Sequence, residues 1–144
     1  MLKIRPAQIK AFTPAAEAAF ERRVADYLRE EHAGEVVTLP AGEGKVAELE
    51  VKDLDDETLL KMVRGGIARA RAYGMTWEAT LATFVVTMFI AAPNFDGHPL
   101  IRRVLSGAEA EPDLRLDLLW EQTTEENWQA VREQYDSSAW NLGE

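Results

Sequence analysis

The sequence predicts an all-α fold. One domain spans 1–144, a bundle of five to seven helices around a buried central helix, with a short β-hairpin or flexible insertion at 34–53. Three observations carry this. Leu81 to Ala92 holds no charge, no Gly and no Pro. Apolar residues recur at helical spacing before and after it, and capping residues stand where those periodic segments begin and end.

In the uncharged stretch, Leu81, Phe84, Val85, Met88 and Phe89 form one broad apolar face, and Val86 and Ile90 carry apolar surface round the other side. A helix apolar nearly all round is one enclosed by its neighbours. Thr83 and Thr87 lie four apart, so their hydroxyls can bond to carbonyls one turn earlier. Thr76 is the expected N-cap, and Pro93 stops further extension.

Taken in order, the first segment places Ile4, Ile9 and Phe12 on an apolar side, with Pro6 in a first turn. Thr13-Pro14 either starts a second helix or kinks one long one. Phe20, Val24, Tyr27 and Leu28 then mark an amphipathic helix ending near Gly34, with Glu21, Arg22, Arg23, Arg29 and Glu30 on its other side. Between Gly34 and Asp53 the pattern changes. Val36 to Leu39 favours a strand, Pro40 to Gly44 a turn, and Ala47, Leu49 and Val51 alternate with Glu48, Glu50 and Lys52. Two strands alone are marginal, so a hairpin here must pack on helices.

Asp55 or Asp56 caps a helix running to Ala72 and closed by Gly74, with Leu59, Val63, Gly66, Ile67 and Ala70 as its inner stripe. Gly65 and Gly66 weaken that helix by roughly 1 kcal/mol each relative to alanine. Close packing against another helix accounts for them, or a ligand lying against the backbone. Pro93 to Pro99 forms a compact turn into a short helix, Leu100 to Ser106, with Phe95 as a plug and Asp96 or His98 as the cap. Pro112 opens a helix with Leu114, Leu118 and Leu119 inward. Thr123 and Glu126 read as a capping box for a last helix through Tyr135, with Trp128, Val131 and Tyr135 on its inner face. The tail, 136–144, still carries Trp140 and Leu142 and is expected to dock.

Net charge is −9 and unevenly placed. From Gly107 to Glu144 ten acidic side chains face only Arg115 and Arg132, whereas the preceding residues carry 14 basic and 15 acidic ones. Such a C-terminal third repels nucleic acid and anionic membranes and favours basic protein partners; its bland alternative is a set of solvated helix faces. Cysteine is absent, which excludes disulfides, thiolate metal sites and cysteine nucleophiles. No signal-peptide pattern opens the chain, and the apolar stretch is shorter than the ~20 residues a membrane span needs, so a cytoplasmic protein without membrane insertion is expected.

Catalytic and metal-binding constellations are not marked. His32 and His98 lack ligand spacing, and Asp96-x-His98 would need a third ligand. Arg64-Gly65-Gly66 lies mid-helix without the strand of a phosphate loop, and the serines lack a nucleophile-elbow pattern. No cofactor is expected. The aromatics Trp120, Trp128, Tyr135 and Trp140 fall among carboxylates; large aromatics rimmed by charge anchor protein interfaces, or else they are core. Trp128 reads as core, while Trp120 and Trp140 stay open between the two.

One resemblance covers much of the chain. Phe20-Glu21-Arg22-Arg23, then Gly66-Ile67-Ala68-Arg69-Ala70 with Tyr73-Gly74-Met75, then Phe84-Val85 with Met88-Phe89, then Pro93-Asn94-Phe95-Asp96 resembles a group of small helical proteobacterial proteins. These are encoded beside type VI secretion spike and PAAR-repeat genes. The segment from Gly34 to Asp53 is longer here than in that group. The resemblance implies a cytoplasmic accessory protein for a secreted effector, as adaptor, chaperone or immunity protein, and transfers no catalytic residue.

The expectation is therefore a non-enzymatic protein-binding chain, its partner a secreted effector or spike component, with a homo-oligomer compatible with the sequence. Its candidate binding residues are Tyr73, Asp96, Trp120, Glu125, Glu126, Glu133 and Trp140. The alternative is a small helical enzyme or ligand sensor with a pocket near Gly66, Tyr73 and Asp96.

Overall fold

The structure is a computed structural model that describes residues 13–142; the reading of the first segment, Ile4 to Phe12, lies outside these. Among the described residues the chain is mostly helical, with α1 (Pro14–Glu31), α2 (Asp56–Ala72), α3 (Glu78–Ile90), α4 (Pro99–Ser106), α5 (Arg115–Gln122) and α6 (Glu125–Glu133). One antiparallel hairpin, β1 (Val36–Gly42) and β2 (Lys45–Glu50), precedes α2.

Local chemistry sets the ends. Thr13 accepts from the Ala16 N–H with Pro14 in the first turn, and Asp55 accepts from the Thr58 N–H. Gly74 turns the chain after α2 at φ +96°, a left-handed conformation that disfavours a side chain. Two capping expectations move. The box at α6 is Thr124 with Asn127 rather than Thr123 with Glu126, because Thr123 instead donates to the Leu119 carbonyl and accepts from the Trp128 indole. Thr76 does not cap α3; its N–H and hydroxyl both bond to Asp113.

Helices α1 and α2 run antiparallel under a ladder of ion pairs. Arg71 forks onto Glu17, Arg64 reaches Glu21, and Arg29 bonds to Asp56 and to the Leu54 carbonyl. Glu21, expected on the solvent side, is buried at the α1–α2 seam, while Tyr27, expected inside, is half exposed. The apolar stripe of α2 packs on α3, and Gly66 is the reason they come so close. A Cβ there would sit 2.9 Å from both Met88 Sδ and Val85 Cγ2. Gly65 has no such neighbour, only the Trp140 carbonyl oxygen at 3.8 Å.

Helix α3 buries Leu81, Phe84, Val85, Met88 and Phe89, and Thr83 and Thr87 donate to carbonyls four residues back. Its outer side is not enclosed: Ala79, Thr83 and Ile90 are exposed. The uncharged sequence marks a helix packed on one face and open along the other.

The hairpin joins the body chiefly through β1. Val37 and Leu39 are buried, and Thr38 is held from both sides: Tyr135 Oη accepts from its N–H at 2.9 Å, and Trp140 Nε1 donates to its carbonyl at 3.1 Å. All but the last residue of β2 is exposed, so the alternation of Ala47 and Leu49 with Glu48 and Glu50 marks no buried face; Val51, past its end, is buried. In α5 Leu116 and Leu119 are buried and Leu118 packs partly against the core, while Leu114, just before its start, is exposed.

Candidate functional site

Two groups of residues stand out in the structure, and they differ in how fully their polar atoms are used. The first lies where α2, the turn after α3 and the tail converge. Asp96 accepts from Tyr73 Oη at 2.8 Å and from Arg69 Nη1 at 3.1 Å. Arg69 also donates to the Ala139 carbonyl at 2.7 Å and to the Pro93 carbonyl. One guanidinium thus ties three segments distant in sequence, using the fork geometry that a lysine lacks. Asn94 adds a second tie, donating to the Gln134 carbonyl and accepting from the Asp136 N–H.

Burial and then the Asp96 carboxylate push the Tyr73 phenol up to about 12. Such a phenol stays protonated at neutral pH, when it serves as a hydrogen-bond donor and not as a base. Phe95 is fully buried, its ring 4.9 Å from Phe84, as a plug should be. His98, not Asp96, caps α4, through Nδ1 to the Leu100 N–H. Gly66, the third residue of the expected pocket, is filled by Val85 and Met88. This convergence has the character of a structural junction.

The second group surrounds the open side of α3. Trp77 at the start of α3 is 55 % exposed and Trp120 on α5 is 43 % exposed. Both line one groove of about 260 Å³. Its floor is Ala79, Thr80 and Thr83 of α3, and its far wall carries Leu116, Asp113 and Asp117. Small floor residues leave the space, and the two indoles bound it.

Asp113 builds this groove. One carboxylate oxygen accepts from the Thr76 and Trp77 N–H groups, each at 2.9 Å, and the other from the Thr76 hydroxyl at 3.0 Å. A carboxylate at the orphan N–H groups of a helix start is favoured by hydrogen bonding and by the helix dipole. Here it also pins the turn before α5 to the start of α3 and fixes the Trp77 backbone. Asp117 and Trp120, three apart on α5, project from the same ridge. Asp117 has no hydrogen-bond or ion-pair partner among the described residues.

Trp120 is held from behind. Its ring lies 5.6 Å from Trp128, which lies 6.1 Å from Phe95, which in turn meets Phe84. The outer indole therefore rests on a stack of rings continuous with the core. Trp140 takes the opposite role: it is 1 % exposed, its ring 4.8 Å from Phe89, so it is core and not a surface anchor. Among the acidic candidates, Glu125 pairs with Arg132 at 2.6 Å, Glu133 accepts from Gln129, and Glu126 points to solvent.

Trp77 was not legible as a candidate. A tryptophan one residue past a hydroxyl at a helix start reads as the beginning of the apolar face, and its exposure follows only from Asp113 holding the entry turn. No helix among the described residues is long and apolar enough to cross a membrane, and no cluster of metal-ligating side chains occurs among them. No family model, curated protein or solved structure matches the chain.

Proposed function

We propose that this chain is a non-enzymatic accessory protein that binds a protein partner across the open side of α3, with Trp77 and Trp120 as anchors. The observation that supports this reading is the pairing of two exposed, pre-positioned tryptophans over one groove. At interfaces tryptophan is among the residues that contribute most to affinity. The acidic faces of α5 and α6, including Glu125, Glu126 and Glu133, extend the surface as a polar rim.

In this reading α3 is the central element of the bundle, one face serving stability and the other recognition. The resemblance to small proteins encoded beside type VI secretion genes makes a secreted effector or spike component the partner proposed. The role would then be that of a cytoplasmic adaptor, chaperone or immunity protein. The experiment is affinity purification from the native host with wild-type chain and with a Trp77→Ala/Trp120→Ala variant. The expected result is a protein retained by the first and lost by the second, with weaker loss on charge reversal at Glu125, Glu126 and Glu133. Identical protein profiles from all three would overturn the reading.

A further inference from the structure

Resting on the reading above, we propose that the groove is a cation-recognition cleft, and that its occupant is a lysine or arginine side chain of a basic partner segment. Three features of the groove converge on that chemistry. Its walls are two indole rings, the best aromatic surfaces for a cation. Its lining carries two carboxylates, Asp113 and Asp117, and no basic residue. Its volume of about 260 Å³ is on the scale of one long side chain rather than a folded element.

The charges facing the groove from each neighbouring element agree. On α5, Asp117 is joined one turn on by Glu121, and neither has a partner among the described residues. On α3, Glu78 is already paired with Arg23 of α1 at 3.1 Å. Arg115, the one basic residue of α5, is turned away, donating to the carbonyls of Ala110, Tyr73 and Leu105. Asp113 is committed to the start of α3, which leaves Asp117 as the free carboxylate for an incoming ammonium or guanidinium. A cation between indoles and next to a carboxylate gains from both. An acidic or neutral segment would leave Asp117 and Glu121 unanswered. A second copy of this acidic chain is disfavoured for the same reason.

The test uses the full chain and its four indole N–H signals in ¹H–¹⁵N spectra. The probe is a 12-residue peptide of alternating arginine and leucine, with glutamine-for-arginine and glutamate-for-arginine versions as controls. The expected result is that the arginine peptide shifts Trp77 and Trp120 and leaves Trp128 less affected and Trp140 unmoved. Trp120→Ala or Asp117→Asn should weaken it about tenfold, while Glu48→Gln, on the exposed strand β2 and outside the groove lining, should change it less than about twofold. Asp117→Asn keeps the fold and the groove shape, so a loss there reports charge rather than unfolding.

Equal binding of the glutamine peptide, or equal weakening by Glu48→Gln, would overturn the cation assignment. So would a dimer in sedimentation that Trp120→Ala dissociates. If the peptide fails while a host protein is still lost with the Trp77→Ala/Trp120→Ala variant, the cation assignment falls and the protein-binding reading stands. If neither shows any dependence on the tryptophans, both fall.

Discussion

The junction at Asp96 and the groove at Asp117 are made of the same kinds of residue, a carboxylate beside aromatic rings near a helix end. At the junction every partner is supplied from within. Asp96 is buried and takes both Tyr73 and Arg69, and Arg69 donates further to the main-chain carbonyls of Pro93 and Ala139. At the groove only Asp113 is satisfied in that way, and Asp117 and two indoles are left facing outward. A buried polar group must be paired or it destabilises the fold, whereas an exposed one stays solvated until a ligand arrives. The two places therefore divide the labour between holding the chain together and presenting a surface.

Substitutions can break or sharpen that division. The largest contrast is between tryptophans. Trp140→Ala removes a buried ring from the hairpin and α3 and should destabilise by about 3–5 kcal/mol, whereas Trp120→Ala should change stability by about 1 kcal/mol or less. Urea midpoints of both variants check this, and similar losses would erase the distinction. Next are the carboxylates. Asp96→Ala strands Arg69 and Tyr73 and should destabilise by about 3 kcal/mol, the low end for a buried pair because the Arg69 side chain is 25 % exposed. Asp117→Asn should be near neutral by the same measurement.

Third, the adjacent glycines of α2 should respond with opposite signs. Gly66→Ala places a methyl 2.9 Å from Val85 and Met88, and overpacking by about 1–3 kcal/mol outweighs a helix-propensity gain of about 1 kcal/mol. Gly65→Ala meets only ordinary contact at 3.8 Å and should raise stability by up to about 1 kcal/mol. Thermal midpoints of the pair decide it.

The smallest effect is confined to alkaline pH. Tyr73 is held at about 12, against an ordinary value of 10.0, so the folded chain keeps a proton that the unfolded chain releases. Its contribution is fully present below pH 10 and is lost as pH rises from 10 towards 12. Tyr73→Phe should flatten that fall in urea-unfolding stability without removing it, because burial also raises the Tyr135 phenol. An unchanged pH profile would place the titration elsewhere.

Local elements were legible because their signals are local. The stripe Leu59, Val63, Gly66, Ile67 and Ala70 and the Gly74 stop depend on spacing and backbone chemistry a few residues wide and stand as expected, and of the two readings open at each helix start the structure has Thr13 and Asp55 as caps. The hairpin was one of two readings, because alternation in β2 without a buried face does not separate a strand from a loop. Glu21 inside and Tyr27 outside escaped because Arg64, 43 positions away, supplies the partner that makes burial of a carboxylate tolerable. At the site, Trp120 was identified and Trp77 missed, while Trp140 was one of several aromatics whose depth no spacing could rank.

By itself, then, the sequence determined that the chain is helical, where most helices start and stop, and most of the apolar residues that meet a neighbour. These follow from periodicity and capping, which act within one or two turns. Only the tertiary structure decided that the open side of α3 would lie between two indoles, because that needs Asp113 of one segment to reach the first N–H groups of another. A carboxylate's role depends on which donors surround it in space, and chain spacing carries no record of that.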